Sequence, residues 1–137
     1  DPGSKIIKIA HLNNIKIIPL IGPSSILMSI ISSGLNGQNF SFVGYLPIDK
    51  LKRMKRIKEL EQLSKKNNQT QIFIETPYRN NDLFKALISS CNNSTFLSIS
   101  SNLTLPNQII KTLTIEEWKY NIIDLNKKPT VFLIHKY

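Results

Sequence analysis

Residues 15–35, IKIIPLIGPSSILMSIISSGL, decide the fold class. Ile15, Ile17, Ile18, Leu20 and Ile21 are β-branched or bulky over a short run, which is strand composition, and Pro19 limits pairing near its end. The expectation is a buried strand that stops at about Leu20. Gly22 then allows a sharp turn without a Cβ clash, Pro23 is pre-set for a first helical residue, and Ser24 or Ser25 can cap free amides. An apolar helix follows to Gly34, a common C-terminal position for glycine. Strand, glycine turn and helix N-terminus together make a place where a ligand lies against backbone, the crevice beyond the carboxyl ends of the strands in an open α/β sheet. The same residues also suit a plain strand-to-helix turn, because one Gly-Pro-Ser is a weak signature.

Working outward, Ser4 can cap a helix through about Asn13, with Ile6, Ile7, Ile9, Ala10 and Leu12 as its apolar positions. Asp1-Pro2-Gly3 opens without an initiator methionine or a preceding strand, and reads as an excerpt of a longer chain. Downstream, Phe40 to Leu46 alternates Phe40, Phe42, Gly44 and Leu46 against Ser41, Val43 and Tyr45, a short strand or extended loop closed by Pro47. Asp49 caps a helix to about Lys66 whose stripe is Leu51, Met54, Ile57, Leu60 and Leu63. Lys50, Lys52, Arg53, Lys55, Arg56, Lys58, Lys65 and Lys66 cover much of the rest, as a solvated face or as a surface for nucleic-acid phosphates.

Gln71-Ile72-Phe73-Ile74 reads as a buried strand that delivers Glu75-Thr76-Pro77-Tyr78-Arg79 at its carboxyl end. A Glu and an Arg on that rim suit a ligand site, and equally a structural pair that fixes the strand-helix turn. A helix follows to Cys91 with Leu83, Phe84, Leu87, Ile88 and Cys91 inward, which makes Cys91 a core residue. Thr95 to Ser101 and Gln108 to Leu113 read as an antiparallel hairpin. Thr114 caps a short helix from Ile115 to about Tyr120, with Glu117 completing a capping box. The last strand, Thr130 to Ile134, is almost wholly apolar, so both its faces are covered. The fold class is therefore α/β, a layered αβα domain with a mixed sheet of about five strands, parallel where helices intervene.

Composition sets the outer bounds. The chain has 137 residues, 41% of them hydrophobic and 20% charged, enough for one core. No apolar run approaches the roughly 20 residues of a membrane span, and no secretory signal is visible, so a soluble, cytoplasmic protein is expected. One cysteine excludes an internal disulfide, and His11 and His135 lie far apart with no carboxylate pattern, so no metal is expected. His135 fits a strand end better than a ligand. Eighteen basic against nine acidic residues give +9, a balance that suits a polyanion such as RNA. The Ile, Lys and Asn richness of A+T-rich coding sequence accounts for part of it.

Asp1-Pro2-Gly3, Ile17-Ile18-Pro19-Leu20-Ile21-Gly22-Pro23-Ser24-Ser25, Ser33-Gly34-Leu35, Phe42-Val43-Gly44-Tyr45-Leu46-Pro47 and Ile72-Phe73-Ile74-Glu75-Thr76-Pro77-Tyr78-Arg79 occur in this order and spacing. Together they resemble the C-terminal half of the tetrapyrrole (corrin/porphyrin) methylase family, in particular its branch of ribosomal small subunit methyltransferases that modify a cytidine ribose 2'-hydroxyl. The resemblance covers nearly the whole chain. It implies an S-adenosylmethionine-dependent methyltransferase of two α/β domains with the cofactor in the cleft between them. Residues 1–14 would be the interdomain motif and helix, and residues 15–137 the C-terminal methylase domain, the N-terminal domain being absent.

The resemblance further implies that Gly22, Pro23, Ser24 and Ser25 face the cofactor, that Tyr45, Leu46 and Pro47 line the cleft, that Thr76 lies at the cofactor, and that Glu75 and Arg79 stand near its mouth as catalytic candidates. It also implies a homodimer. Where the ribosomal branch carries Lys-Gly-Glu before its last strand, this chain has Lys128-Pro129-Thr130. Three functions compete: methyl transfer to RNA, methyl transfer to a tetrapyrrole or other small molecule, and a non-catalytic dimerisation module. By itself this half of the cleft is expected to show little or no catalysis.

Overall fold

A computed structural model describes residues 3–137; Asp1 and Pro2, with which the family-like opening begins, lie outside the described residues. The elements in order are α1 (Ser4–Leu12), α2 (Ser25–Ser33), β1 (Phe40–Tyr45), α3 (Lys50–Asn67), β2 (Thr70–Ile74), a 3-10 turn (Pro77–Arg79), α4 (Asn80–Ser90), β3 (Phe96–Ser101), β4 (Ile109–Thr114), α5 (Ile115–Trp118) and β5 (Thr130–His135). The five strands form one sheet in the order β1-β2-β5-β3-β4. Strands β1 and β2 are parallel, whereas β5 runs antiparallel to both of its neighbours, β2 and β3. Strands β1, β2 and β3 therefore point the same way, and their carboxyl ends share one edge with the start of β5.

The sheet is covered on both sides, as an αβα layering requires. Alternation along β2 and β5 sends Phe73, Phe132 and Ile134 to the main core, with Leu60 of α3, Leu87 of α4 and Trp118 of α5. Ile72, Val131 and Leu133 face the other way and meet Ile30 of α2. Both faces of β5 are buried, as its continuous apolar run predicts. Trp118 lies edge-on to Phe84 at 5.5 Å and its indole N–H donates to the Leu97 carbonyl at 2.8 Å, so the largest core side chain leaves no buried donor unmet. The hairpin β3-β4 is antiparallel, and Thr114 with Glu117 forms the expected capping box. Helix α5 stops at Trp118, one turn long, short of the expected Tyr120.

Three expectations are corrected. The run Ile15 to Leu20 is not a buried strand: Ile15 is 60% exposed, Leu20 90%, and no β-partner pairs with the segment among the described residues. Composition supplied strand propensity, but a strand also needs a neighbour to pair with, and this segment does not lie along the free edge of β1 or β4. The following helix begins at Ser25, with Ser24 rather than Pro23 at its boundary: Ser24 Oγ accepts from the Leu27 amide at 3.5 Å. Gly34 closes it in the left-handed region at φ 72°.

The second correction concerns β1. A bulge between Phe42 and Tyr45, with Gly44 at φ 73°, breaks the alternation. Val43 and Leu46 consequently both reach the main core. Third, α3 keeps its expected length and its Asp49 cap, which accepts from the Lys52 amide at 2.9 Å, but its inward face is Arg53, Ile57, Leu60, Glu61 and Ser64. The expected stripe advanced by three residues at every step, which falls 60° short of a full turn each time and winds off the buried face. Leu51 ends 77% exposed and Leu63 39%. Glu61, turned inward, accepts from the Asn92 amide at 2.7 Å and from the Thr95 hydroxyl, and so ties α3 to the start of β3.

Candidate active-site crevice

A strand that ends in the middle of a sheet must release its chain upward, and at the carboxyl ends of β2 and β3 the neighbouring strand is antiparallel, so the two departing chains diverge around the start of β5. This leaves a pocket of about 310 Å³, lined by Ser25, Ile74, Glu75, Pro77, Ser100, Leu103, Pro129, Thr130 and Val131. Helix α2 contributes its N-terminal residue, whose free amides carry partial positive charge. Its lining mixes apolar side chains with the polar Ser25, Glu75, Ser100 and Thr130, the usual mixture of a ligand site.

Glu75 is the acid of this pocket. It is 5% exposed. Its Oε1 accepts from its neighbour's amide, Thr76 N, at 2.6 Å and from Arg79 Nη2 at 2.9 Å. Its Oε2 is buried with no hydrogen-bond partner, and so is the Ser100 hydroxyl on the opposite strand. Buried polar groups are rarely left unpaired, because each costs of order 1–3 kcal/mol when unmet. Two residues of the lining thus each carry a buried hydrogen-bonding atom that meets no protein partner, one of them a carboxylate oxygen. A group with hydroxyl or amine donors fits that pair. The Thr130 hydroxyl is already engaged, 3.0 Å from Ser101 Oγ and 2.9 Å from the Lys128 carbonyl.

The sequence-derived candidates divide here. Ser25 and Glu75 line the crevice, and Thr76 lies outside the lining with its amide on Glu75 Oε1. Arg79 holds Glu75 from outside the lining, one third of its side chain exposed. Gly22 and Pro23 are exposed on the approach to α2, and nothing lies within 4 Å of where a Cβ on Gly22 would be. Tyr45 is exposed at 63% and Leu46 is buried in the main core, so the Leu46 side chain does not line the crevice. Ser100 and Thr130 were missed. The available signal was polar residues, Ser98, Ser100 and Ser101, in a strand whose residues after Phe96 are all buried, where only a hydrogen-bonding role or a ligand accounts for them. No three His, Cys, Asp or Glu side chains converge among the described residues.

The sequence matches bacterial ribosomal RNA small subunit methyltransferase I: 26% identity to the Vibrio cholerae protein over all of this chain and 47% of that one, and 34% to the Buchnera aphidicola (Schizaphis graminum) protein over 76% and 35%. The Halalkalibacterium halodurans protein is 31% identical over 85% of this chain and 39% of its own length. In structure the chain superposes over 97% of its length on the methyltransferase CobJ, with a TM-score of 0.57 at 16% identity and 58% of that chain covered. In sequence the chain is similar to these ribosomal RNA methyltransferases, and in fold to CobJ. No family model matches it. A candidate diphthine synthase from Entamoeba histolytica shares the fold at a TM-score of 0.62, 14% identity, 97% of this chain and 59% of its own. The chain spans about half or less of the length of the curated relatives it matches. Pro129 and Thr130 stand on the crevice wall, and Glu75 is the carboxylate in the lining.

Proposed function

We propose that the chain is the C-terminal half of an S-adenosylmethionine-dependent methyltransferase acting on small-subunit ribosomal RNA at a cytidine ribose 2'-hydroxyl, with residues 15–137 as its C-terminal α/β domain. The RNA reading is supported by the names of the sequence relatives. The cofactor reading rests on one observation, that Glu75 and Ser100, two residues lining one pocket, each carry a buried polar atom without a partner.

The cofactor's sulfonium is a strong methyl donor, so the protein's task is alignment of donor and acceptor. In this reading Glu75 and Ser100 take hydroxyl or amine donors of the cofactor, while Arg79 and the Thr76 amide keep the Glu75 carboxylate from rotating. The pocket's 310 Å³ lies at the small end of ligand sites, consistent with half a cleft whose other wall comes from elsewhere. With no His or Cys in this half's lining, a base on the other half of the cleft, Glu75 or water takes the proton of a ribose hydroxyl. A ribosomal substrate places the reaction in the cytoplasm; no helix among the described residues is long and apolar enough to cross a membrane.

A homodimer is part of the proposal. Helix α1 has no buried residue, and a nine-residue helix is marginal without tertiary packing. Ile6 at 71%, Leu12 at 74% and Ile31 at 81% exposure supply an apolar surface for a second copy. Sedimentation velocity should show a concentration-dependent dimer; a monomer at every concentration contradicts it.

Activity is tested by radiolabelled methyl transfer to deproteinised small-subunit RNA, with the chain alone and with the N-terminal half of a bacterial relative fused before it. The chain alone is expected to be inactive and the fusion active, with loss in Glu75→Gln. A folded fusion that binds the cofactor and methylates a tetrapyrrole but not RNA overturns the substrate assignment.

A further inference from the structure

Helix α3 buries an arginine with no anion. Arg53 is 8% exposed and its Nε is buried without a hydrogen-bond partner. The ion pairs among the described residues are Arg56–Glu59 and Arg79–Glu75, and neither uses it. Arginine cannot shed its proton to escape the cost of burial, as a lysine can. Arg53 lines a pocket of about 460 Å³ between the first half of α3 and the outer side of α4, together with Lys50, Lys85, Asp82 and Ser89. Three cations face one carboxylate there, and Ser89 spends its hydroxyl on the Ala86 carbonyl. The lining therefore carries net positive charge around a guanidinium whose Nε is still unsatisfied.

We propose that this pocket is a phosphate seat for the RNA backbone, separate from the crevice. A guanidinium matches the paired oxygens of a phosphate, and flanking lysines add point charge without demanding geometry. The seat is placed to serve the crevice: α3 leaves the carboxyl end of β1 and α4 that of β2, so Lys50 and Asp82 stand at the crevice end of the domain. Exposed Lys52, Lys55 and Lys58 continue the positive track along α3. Asp82 narrows the seat to one phosphate by repelling a second. This inference rests on the RNA reading for its partner, not on the cofactor reading.

The test is fluorescence anisotropy of a labelled single-stranded RNA dodecamer with the chain at about 50 mM salt, where phosphate contacts are strong. Lys50→Gln/Lys85→Gln, both exposed and safe for folding, should weaken binding about fivefold and lower the salt slope by about 0.7 per lost phosphate contact. Arg53→Gln should do the same. Lys119→Gln/Lys128→Gln removes equal charge elsewhere, and equal weakening by that pair means bulk attraction and overturns the seat. Titration of inorganic phosphate, followed at the Arg53 Nε–H resonance, separates the sources: a shift with phosphate but no RNA binding identifies a free-phosphate site and also overturns the proposal. Seat-dependent RNA binding in a fusion that transfers no methyl group leaves this inference standing and removes the methyltransferase reading.

Discussion

Arg79 Nη2 stands 2.9 Å from Glu75 Oε1 across the 3-10 turn, while Glu75 Oε2, on the same buried carboxylate, meets no partner. One oxygen is held by the protein, and the other is the one the proposed cofactor site uses. Substitutions at the two residues should separate these roles. Arg79→Ala strands a carboxylate whose side chain is 1% exposed. It should cost about 2 kcal/mol in urea unfolding, less than a fully buried pair because Arg79 is partly solvated. Glu75→Gln keeps the shape and an acceptor for the Thr76 amide, so it should stay folded and lose ligand affinity. If both variants unfold alike, the pair is structural only.

His135 gives the fold a pH dependence. Its ring is buried, with Nδ1 3.0 Å from Thr70 Oγ1 and Nε2 3.2 Å from Asn68 Oδ1. Burial holds its pKa below the ordinary histidine value. The unfolded chain therefore binds a proton that the native chain resists, so this contribution is complete above about pH 6.5 and is lost as pH falls below it. His135→Gln should flatten the slope of stability against pH just below 6.5. An unchanged slope in the variant contradicts the assignment.

Cys91 is 9% exposed at the end of α4, and burial, reinforced by Glu61, pushes its thiol up to about 12. The thiolate is the reactive form. At pH 8 iodoacetamide should leave the native chain unmodified over hours and label it promptly in denaturant. Rapid labelling of the native chain means that the core at α4 opens readily.

Gly44 carries the bulge of β1 at φ 73°, and a Cβ there would touch nothing within 4 Å. The cost of Gly44→Ala is then purely conformational, about 1 kcal/mol, measurable as a shift of the urea midpoint with an unchanged slope. A larger loss with a changed slope indicates that the bulge fixes the register of β1 on β2.

What could be read from residues alone was local chemistry. The Asp49 and Thr114 caps, the Gly34 stop, the β3-β4 hairpin and the Glu75–Arg79 rim all follow from short-range rules, and each is found in place. Ile15 to Leu20 failed because apolar, β-branched composition says nothing about whether a pairing partner exists. Arg53 falls on the outer face, solvated or phosphate-binding, when the stripe on α3 is counted by threes; a count at i, i+4 and i+7 through Ile57 and Leu60 puts it inward. Ser100 and Thr130 needed the sheet order, since only β5 between β2 and β3 brings them to Glu75.

The most direct test of the crevice as the cofactor site is titration of S-adenosylhomocysteine into the ¹⁵N-labelled chain, followed by amide shifts. Half a cleft should bind weakly, with perturbations clustered at Ser24, Ser25, Thr76, Ser100 and Thr130 and abolished in Glu75→Gln. No perturbation up to solubility, or a cluster away from the crevice, contradicts the account.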